Sequence, residues 1–247
     1  MNNWWKDYFS EAWPQIQHYI KGKEDTFMET NYIEEILQQK GYQHILDIPC
    51  GTGRIAIELA ERSYTTCGID FNEQNIETAH TNSAAKGVTQ QVEWICGDMR
   101  SIPFKESFDA AICIFGSFGY FSDAENRIFL QSVYDSLKPG GSFIVETHTL
   151  ETILPIFTHQ DFWRFEKYWV LEERNFNMET SRIESDWWTL NDDGRQLKHN
   201  SSTRIYSYRE LLLLLQSIGF KHFSAEGSYD GEPYELGSEK LLLVAEK

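Results

Sequence analysis

Short apolar runs alternate with amphipathic stretches over residues 44–148. The runs are rich in residues that favour strands, whereas the stretches between them show the apolar spacing of helices. Asn72 stands where it would cap one of these helices and Gly87 where it would end it, while Asp123 would cap another that extends to Leu137. Because strands and helices alternate, the pattern predicts a doubly wound α/β fold around a mostly parallel sheet.

The pattern differs on either side of this region. Residues 1–40 are expected to form helices. Their aromatic residues recur at helical spacing, namely Trp4, Trp5, Tyr8, Phe9 and Trp13. Beyond the alternating region, polar residues alternate with aromatic or aliphatic ones, and a hairpin turn is predicted at Asn191–Gly194. We therefore predict an antiparallel β insertion over residues 151–206, within a domain of residues 1–150 and 207–247 that contains a seven-stranded sheet.

The first predicted strand ends in a carboxylate and a glycine-rich loop. Asp47 closes the strand, and the loop contains Pro49, Cys50, Gly51 and Gly53. Glycine leaves no Cβ to obstruct a ligand, and the helix that follows offers unpaired N–H groups, so a nucleotide-like or carboxylate-bearing ligand is expected here. The spacing also fits the dinucleotide pattern G-x-G-x-x-A, which makes an NAD-dependent oxidoreductase a rival interpretation. Asp47 opposes that rival, because a carboxylate beside the loop would repel phosphates.

Residues 47–53 resemble motif I of the class I S-adenosylmethionine-dependent methyltransferases, usually D-x-G-x-G-x-G, with Pro49 in the place of the first glycine. Four later segments match the same family in order, and they are the strand end at Asp70, the strand end at Gly97–Met99, the run Phe108–Phe115 and the turn Leu137–Phe143. The resemblance implies a Rossmann-like fold, S-adenosylmethionine as the cofactor and S-adenosylhomocysteine as the product.

The resemblance also assigns cofactor-binding roles to residues at the ends of the predicted strands. Asp70 would accept hydrogen bonds from the ribose hydroxyls, and Asp98 would accept one from the adenine amino group. Tyr8, in the aromatic N-terminal segment, would close over the cofactor. The predicted cofactor-binding residues are Tyr8, Asp47, Pro49, Cys50, Gly51, Gly53, Asp70, Phe71, Asp98, Met99 and Phe115.

Two residues are candidates for work on the methyl acceptor. Methyl transfer from a sulfonium is an in-line displacement, so the protein mainly positions the reactants and needs a base only if the acceptor must lose a proton. His148 follows the predicted fifth strand and is the candidate base, and Tyr120 is the candidate to orient the acceptor. Each also has a plain structural interpretation, His148 as a residue bonded to the insertion and Tyr120 as a packing residue. No metal is expected, because the seven histidines lack ligand spacing.

The composition of the chain limits the kinds of partner that the protein is expected to bind. The formal net charge of −16 argues against nucleic acid and against an anionic membrane surface, since both attract basic proteins. The four cysteines stand apart from one another, which predicts free thiols and a cytoplasmic location. No signal-peptide pattern is apparent at the N-terminus.

We therefore expect a methyltransferase that acts on a nitrogen or oxygen atom of a small molecule, with the insertion as a lid over the active site. The aromatic residues of the insertion would form its core or wall an acceptor pocket. The N/D-P-P-Y motif of enzymes that methylate nucleic-acid bases is missing after the fourth predicted strand. The alternatives are a protein or RNA methyltransferase, and a non-catalytic partner subunit that binds S-adenosylmethionine. The acceptor and the oligomeric state stay open.

Overall fold

The computed structural model describes residues 3–12 and 20–247, and Trp13 lies outside them. The helices are α1 (Trp4–Asp7), α2 (Lys23–Lys40), α3 (Arg54–Glu61), α4 (Glu73–Lys86), α5 (Asp123–Ser136), α6 (Leu150–Ile153) and α7 (Tyr208–Ile218). The strands are β1 (His44–Asp47), β2 (Thr65–Asp70), β3 (Val92–Cys96), β4 (Phe108–Cys113), β5 (Leu137–Thr147), β6 (Gln160–Arg164), β7 (Tyr168–Asn177), β8 (Arg182–Asn191), β9 (Gln196–Arg204), β10 (Lys221–Glu226) and β11 (Leu241–Glu246). A π-helical turn over Tyr8–Ala12 continues α1, and a 3₁₀ turn over Leu154–Ile156 follows α6. Within the described ranges, none of the helices is long and apolar enough to cross a membrane.

The larger sheet has the strand order β10-β11-β5-β4-β1-β2-β3. Strands β1 to β5 run parallel, while β11 pairs antiparallel with both β5 and β10. The strand order reverses between β1 and β4, and the carboxyl ends of the strands at such a switch point form a ligand-binding crevice. The predicted α/β fold with a seven-stranded, mostly parallel sheet is confirmed.

The second sheet is antiparallel, with the order β6-β7-β8-β9. The chain leaves the larger sheet at Thr149 and returns at Tyr206, and a parallel bridge joins these two residues. Arg182, at the start of β8, donates a hydrogen bond from Nη1 to the carbonyl oxygen of Phe121 at 2.9 Å, which ties the second sheet to the loop after β4. The predicted antiparallel insertion is confirmed, whereas the exact domain boundaries at residues 150 and 207 stay a prediction.

Helix α4 begins and ends where the sequence indicates. The Asn72 side chain accepts a hydrogen bond from the backbone N–H of Gln74 at 3.0 Å. Gly87 follows the helix with a φ of 73°, a conformation that glycine adopts without a Cβ clash. Both predicted boundaries are therefore confirmed.

Helix α5 has a different cap from the one that the sequence suggested. Ser122 is the capping residue, because its Oγ accepts from the backbone N–H of Glu125 while the Glu125 carboxylate accepts from the backbone N–H of Ser122. Asp123 is the first helical residue, and its carboxylate pairs with Arg204 instead. The helix ends at Ser136, and Leu137 already belongs to β5. The predictions of an Asp123 cap and of a helix through Leu137 are therefore wrong.

The core between α5 and the larger sheet is built on aromatic side chains. Phe129 of α5 and Phe143 of β5 are both fully buried, and their rings meet edge to face at 6.3 Å between centroids. Phe220, just before β10, is buried as well and packs on Phe143. The neighbouring Ile128 is 52% exposed, so one turn of α5 presents a core residue and a surface residue side by side.

We predict that Phe129→Ala lowers the free energy of unfolding by about 3–5 kcal/mol, since it removes a buried ring and leaves a cavity. Ile128→Ala is the matched control and should change that free energy by less than about 1 kcal/mol, because its side chain stays largely in water. Urea denaturation of both variants measures the difference. Equal losses in the two variants would contradict this account of the core.

Candidate functional site

A cavity of about 1120 Å³ opens at the carboxyl ends of β1 to β4. It contains most of the predicted cofactor-binding residues. Those that line it are Asp47, Pro49, Cys50, Gly51, Asp70, Phe71, Asp98, Met99 and Phe115. The candidate acceptor residue Tyr120 lines it too, whereas Gly53, Tyr8 and His148 lie around it. The structure thus brings the strand-end residues together, as expected for parallel strands that end at one edge.

Two glycines give the loop after β1 its shape. Gly51 and Gly53 have φ values of 54° and 83°, in the left-handed region that L side chains disfavour. A Cβ on Gly53 would also overlap the indole of Trp94, and a Cβ on Gly68 would overlap the same indole. Trp94 of β3 is held by a hydrogen bond from Nε1 to Ser83 Oγ at 3.2 Å. The loop therefore lies against a fixed aromatic surface that only glycine can approach so closely.

Asp47 is a buried carboxylate beside the cavity. Its Oδ2 accepts a hydrogen bond from the backbone N–H of Ala56 at 3.3 Å. Burial raises the pKa of Asp47 to about 7, with the nearby charge of Arg54 and the bond from Ala56 lowering it and Asp70 raising it. A buried carboxylate with so little compensation would gain from a cationic group in the cavity, such as an ammonium.

Asp70 joins the β1 loop to the end of β2. Its Oδ2 accepts from the backbone N–H of Gly51 at 2.9 Å, and its Oδ1 accepts from the backbone N–H of Asn72 at 2.9 Å and from Asn75 Nδ2 at 3.3 Å. Burial raises the pKa of Asp70, and these three hydrogen bonds oppose that effect. A carboxylate has about four acceptor positions, so these bonds leave room for a ribose hydroxyl. The ribose role of Asp70 stays a prediction.

Asp98 is held by a residue that the sequence interpretation missed. Arg100 donates from Nε to Asp98 Oδ1 at 3.0 Å and from Nη2 to Oδ2 at 2.6 Å, and it also pairs with Glu125. Partial burial raises the pKa of Asp98, but the hydrogen bonds and charge of Arg100 outweigh it, so the pKa lies below its ordinary value. Both oxygens of Asp98 already accept hydrogen bonds from Arg100, so a bond from an adenine amino group would have to be made in addition to these. The adenine-binding role of Asp98 stays a prediction.

Lys21 and Arg54 also line the cavity, and they share a carboxylate, Glu29, that is not among its lining residues. Glu29 of α2 is fully buried and pairs with Lys21 at 2.7 Å and with Arg54. Arg54 Nη1 also donates to Thr26 Oγ1 at 3.1 Å. Two cations around one carboxylate leave a net positive charge at the wall, opposite in sign to Asp47. Arg54 follows the glycine loop directly, but nothing in the sequence spacing links Lys21 or Glu29 to that loop.

The loop after β4 is fixed from behind by Glu146. Phe115 and Gly116 both have a φ of 63°, and Phe115 is a non-glycine residue in the left-handed region. The backbone N–H of Phe115 donates to Glu146 Oε2 at 2.7 Å, and the Tyr229 hydroxyl donates to the same oxygen at 2.7 Å. Lys240 Nζ lies 3.7 Å from Glu146 Oε1. These contacts hold Phe115 at the cavity wall in an uncommon backbone conformation.

Tyr120 lies at the cavity wall among aromatic neighbours. Its ring centroid is 5.2 Å from that of Phe9 and 5.6 Å from that of Trp4. Burial raises the pKa of Tyr120, while its hydrogen bond with Ser117 opposes the change. The hydroxyl therefore stays protonated at neutral pH, which suits a hydrogen-bonding role and excludes a role as a base. Its action on the acceptor stays a prediction.

His148 lies beyond the end of β5 with an accessible side chain, next to Gly116. It is not among the residues that line the cofactor cavity. Desolvation by the surrounding protein lowers the pKa of His148, Glu146 opposes this effect and Lys240 adds to it. The imidazole is therefore neutral at pH values where an ordinary histidine is already partly charged, and its role as a base stays a prediction.

Tyr8 contacts the insertion. Its ring centroid is 5.8 Å from that of Trp187 and 6.5 Å from that of His199. The neighbouring Trp5 and Phe9 are the residues of this segment that line the cavity. The N-terminal segment therefore stands between the cavity and the second sheet, and direct contact of Tyr8 with the cofactor stays a prediction.

Comparison with known proteins agrees with this geometry. The family described as "Methyltransferase domain" matches residues 45–141. YqeM of Bacillus subtilis is 33% identical over 135 residues, which are 54% of this chain and 53% of that protein. A solved S-adenosylmethionine-dependent methyltransferase from Clostridium acetobutylicum has a TM-score of 0.81 at 15% identity over 98% of both chains. CalS10 from Micromonospora echinaspora, an amino pentose methyltransferase solved with S-adenosylmethionine bound, has a TM-score of 0.68 at 20% identity over 96% of both chains.

The fold, the cavity at the strand ends and the match over residues 45–141 agree with the predicted class I methyltransferase. The match covers 53% of the length of YqeM, and the likeness to the two solved structures shows the fold. Residues 45–141 match the methyltransferase domain, and one of the solved structures that share the fold contains S-adenosylmethionine, so the comparisons support S-adenosylmethionine as the cofactor. The predicted family, enzyme class and cofactor are confirmed, and the rival NAD-dependent oxidoreductase is set aside.

We predict that the affinity for S-adenosylhomocysteine rises about tenfold between about pH 6 and about pH 8, because the Asp47 carboxyl loses its proton in this range and its anion attracts the ligand's ammonium. The affinity rises with pH because the pKa of Asp47 is raised to about 7. Below this pH the protonated carboxyl dominates, and it has no negative charge to attract the ammonium group. Isothermal titration calorimetry at several pH values measures the slope.

Two variants test the source of that slope. Asp47→Asn should bind more weakly and show a nearly flat profile. Asp109→Asn is the control, because Asp109 does not titrate between about pH 6 and about pH 8. Burial raises the pKa of Asp109, but the hydrogen bonds that it accepts from Lys138 and from the backbone outweigh this effect and hold the pKa at about 2. It should keep the wild-type slope. A slope that survives in Asp47→Asn would show that another group titrates.

Proposed function

We propose that this enzyme methylates a nitrogen or oxygen atom of a small molecule. The observation that carries the proposal is a continuous aromatic layer over the reacting edge, in which Tyr120 meets Phe9 and Tyr8 meets Trp187 of the insertion. An edge covered in this way suits an acceptor of small size. The net charge of −16 further disfavours a nucleic-acid acceptor. The shared fold of CalS10, an amino pentose methyltransferase, supports a small acceptor as well.

The charges around the cavity suit the amino-acid end of the cofactor. Asp47 would take the ammonium group, and Lys21 and Arg54 would take the carboxylate. Bound S-adenosylmethionine supplies an electrophilic methyl group on a sulfonium. The protein's own task is then to hold the acceptor in line with that methyl and to exclude water.

Tyr120 and His148 would divide the work on the acceptor. The Tyr120 hydroxyl, which stays protonated, would orient the acceptor by a hydrogen bond. His148, which is neutral at pH 7, would remove a proton from the acceptor nitrogen or oxygen. His148 lies next to Gly116 but is not among the residues that line the cofactor cavity, so an acceptor would have to reach beyond that lining to meet it.

Residues 151–206 would act as the lid that selects the acceptor, and residues 1–150 with 207–247 would form the cofactor-binding domain. The contacts of Arg182 with the loop after β4 support this division, because they join the lid to the wall of the cavity. Among the residues that the structure describes, Phe9 lines the cavity and its neighbour Tyr8 contacts Trp187 of the lid.

A methyl-uptake assay tests the proposal. A bacterial extract is divided into its small-molecule filtrate, its protein and its RNA. Each fraction is incubated with S-adenosylmethionine that carries a tritiated methyl group, once with the enzyme and once without it. Label should enter the filtrate in an enzyme-dependent way. Label in protein or RNA alone would support the macromolecular alternative and overturn the proposal. Tight binding of S-adenosylhomocysteine with no transfer to any fraction would favour a non-catalytic partner subunit.

We predict that His148→Ala lowers kcat by roughly 10²–10⁴-fold while the affinity for S-adenosylhomocysteine stays unchanged. The reason is that the base acts only on the acceptor. In the wild type, kcat at saturating cofactor should rise with pH and level off at a lower pH than it would with an ordinary histidine as the base, because desolvation lowers the pKa of His148.

His148→Gln serves as the control for position, since it retains a polar group of similar reach without comparable basicity. It should be nearly as slow as the alanine variant. If the glutamine enzyme keeps most of its turnover, His148 only positions the acceptor, and proximity and alignment account for the rate.

A further inference from the structure

One face of the second sheet presents a polar cluster to the N-terminal segment. Side chains alternate between faces along a strand, so Glu172 and Arg174 of β7 share a face with their cross-strand partners Trp187 and Ser185 of β8. His199 of β9 pairs with Trp187 and therefore joins the same face. Tyr8 contacts Trp187 and His199 from above, so this face is covered by the protein.

Two atoms in this cluster are buried without a hydrogen-bond partner, Arg174 Nε and His199 Nε2. His199 is only 7% exposed, so bulk solvent has little access to its ring. The other polar groups nearby are satisfied, since Arg174 pairs with Glu172 and Asp161 through Nη2. Buried polar groups are almost always paired in folded proteins, and an unpaired one lowers stability. Two of them on one face indicate that a ligand completes the site.

The cluster also contains an apolar surface. The indoles of Trp163 and Trp187 are stacked, with 5.7 Å between ring centroids and 14° between planes. Trp187 Nε1 donates to Ser201 Oγ at 3.0 Å, so the ring is held in place. A flat aromatic surface beside several hydrogen-bonding groups suits a ring that has both an apolar side and polar substituents.

The mixture of charges restricts the ligand further. Glu172 and Asp161 would repel a carboxylate or phosphate, and Arg174 would repel an ammonium group. A hydroxyl both donates and accepts, so it can bond to the Nε–H of Arg174, to His199 in either tautomer and to the Glu172 carboxylate. The backbones of Arg174 and His199 lie on strands two apart, roughly 10 Å from one another, so a ligand with more than one hydroxyl suits the two unpaired nitrogens.

We propose that this face of the lid, formed by Glu172, Arg174, Ser185, His199 and Ser201 beside the Trp163–Trp187 stack, binds the hydroxyl-bearing part of the methyl acceptor, a polyhydroxylated, sugar-like small molecule. The inference rests on the proposed function of the enzyme. Phe9 lines the cofactor cavity and its neighbour Tyr8 covers the cluster, so one layer of side chains separates the two sites. The acceptor displaces the Tyr8 ring when it spans them.

Paired amines test the inference. D-glucosamine is compared with cyclohexylamine, and serinol with isopropylamine, so that each pair differs in its hydroxyl groups. Methyl transfer to each amine is followed by release of S-adenosylhomocysteine. The wild type should prefer the hydroxylated member of at least one pair by about tenfold or more in kcat/KM. The reason is that only the hydroxylated amine can form hydrogen bonds with the buried nitrogens of Arg174 and His199.

Two conservative variants test whether His199 and Arg174 cause the preference for hydroxylated amines. His199→Phe keeps an aromatic ring under Tyr8 but removes Nε2, and Arg174→Lys keeps the charge beside Glu172 and Asp161 but removes Nε. Each should raise KM for the hydroxylated amine by about tenfold, with the affinity for S-adenosylhomocysteine unchanged. His199→Phe should also leave the Tm of the ligand-free protein unchanged or higher, because the lost nitrogen makes no hydrogen bond there. Lys198→Gln is the control, since Lys198 is next to His199 on the opposite, exposed face.

Four results would overturn the inference. A wild-type preference for the hydroxyl-free amines would do so and leave the proposed function standing. An unchanged preference in both variants would do so as well, and so would a marked fall in the Tm of ligand-free His199→Phe, which would assign His199 to structure. If none of the four amines accepts a methyl group, the inference also fails. The methyl-uptake assay on the extract fractions then decides separately whether the proposed function is also wrong.

Discussion

The carboxylate of Asp70 holds the cofactor site together. It accepts hydrogen bonds from the backbone of Gly51 in the loop after β1 and from the backbone of Asn72 at the start of α4. Two neighbouring strand ends are thereby joined through one buried side chain. The glycines of the loop can follow this path because they tolerate positive φ, and Trp94 supports them from below. Asp70 thus fixes the direction of the Gly51 N–H, while backbone hydrogen bonds hold the N–H groups of Cys50 and Gly53.

Buried carboxylates recur around the cavity, and each is compensated in a different way. Glu29 has two cations, and Glu146 has a backbone N–H, a tyrosine hydroxyl and a nearby lysine. Asp47 has one long backbone hydrogen bond and the more distant charge of Arg54, which is why its pKa rises to about 7. The degree of compensation separates the acids that hold the structure from the acid that is suited to a ligand.

The insertion is attached to the larger sheet at a narrow neck and again at the loop after β4. Thr149 and Tyr206 pair at the neck, while Arg182 binds backbone carbonyls of that loop. The aromatic segment before residue 13 fills the space between the two sheets. Changes in the lid can therefore reach the loop that contains Tyr120 through direct contacts, without passing through the rest of the sheet.

The sequence alone determined the alternation of strands and helices, the glycine loop and the strand-end acids, because this alternation is a local property and the ordered motifs occupy the ends of successive strands. It also determined the ends of α4. It missed Arg100, Lys21, Glu29 and Glu146, and it placed the cap of α5 at Asp123 instead of Ser122. These depend on contacts between segments far apart in the chain, such as Glu29 with Arg54 or Asp123 with Arg204. Only the tertiary structure decided which acids already have a partner and which polar atoms of the lid lack one, because burial and pairing are set by neighbours that no local pattern specifies.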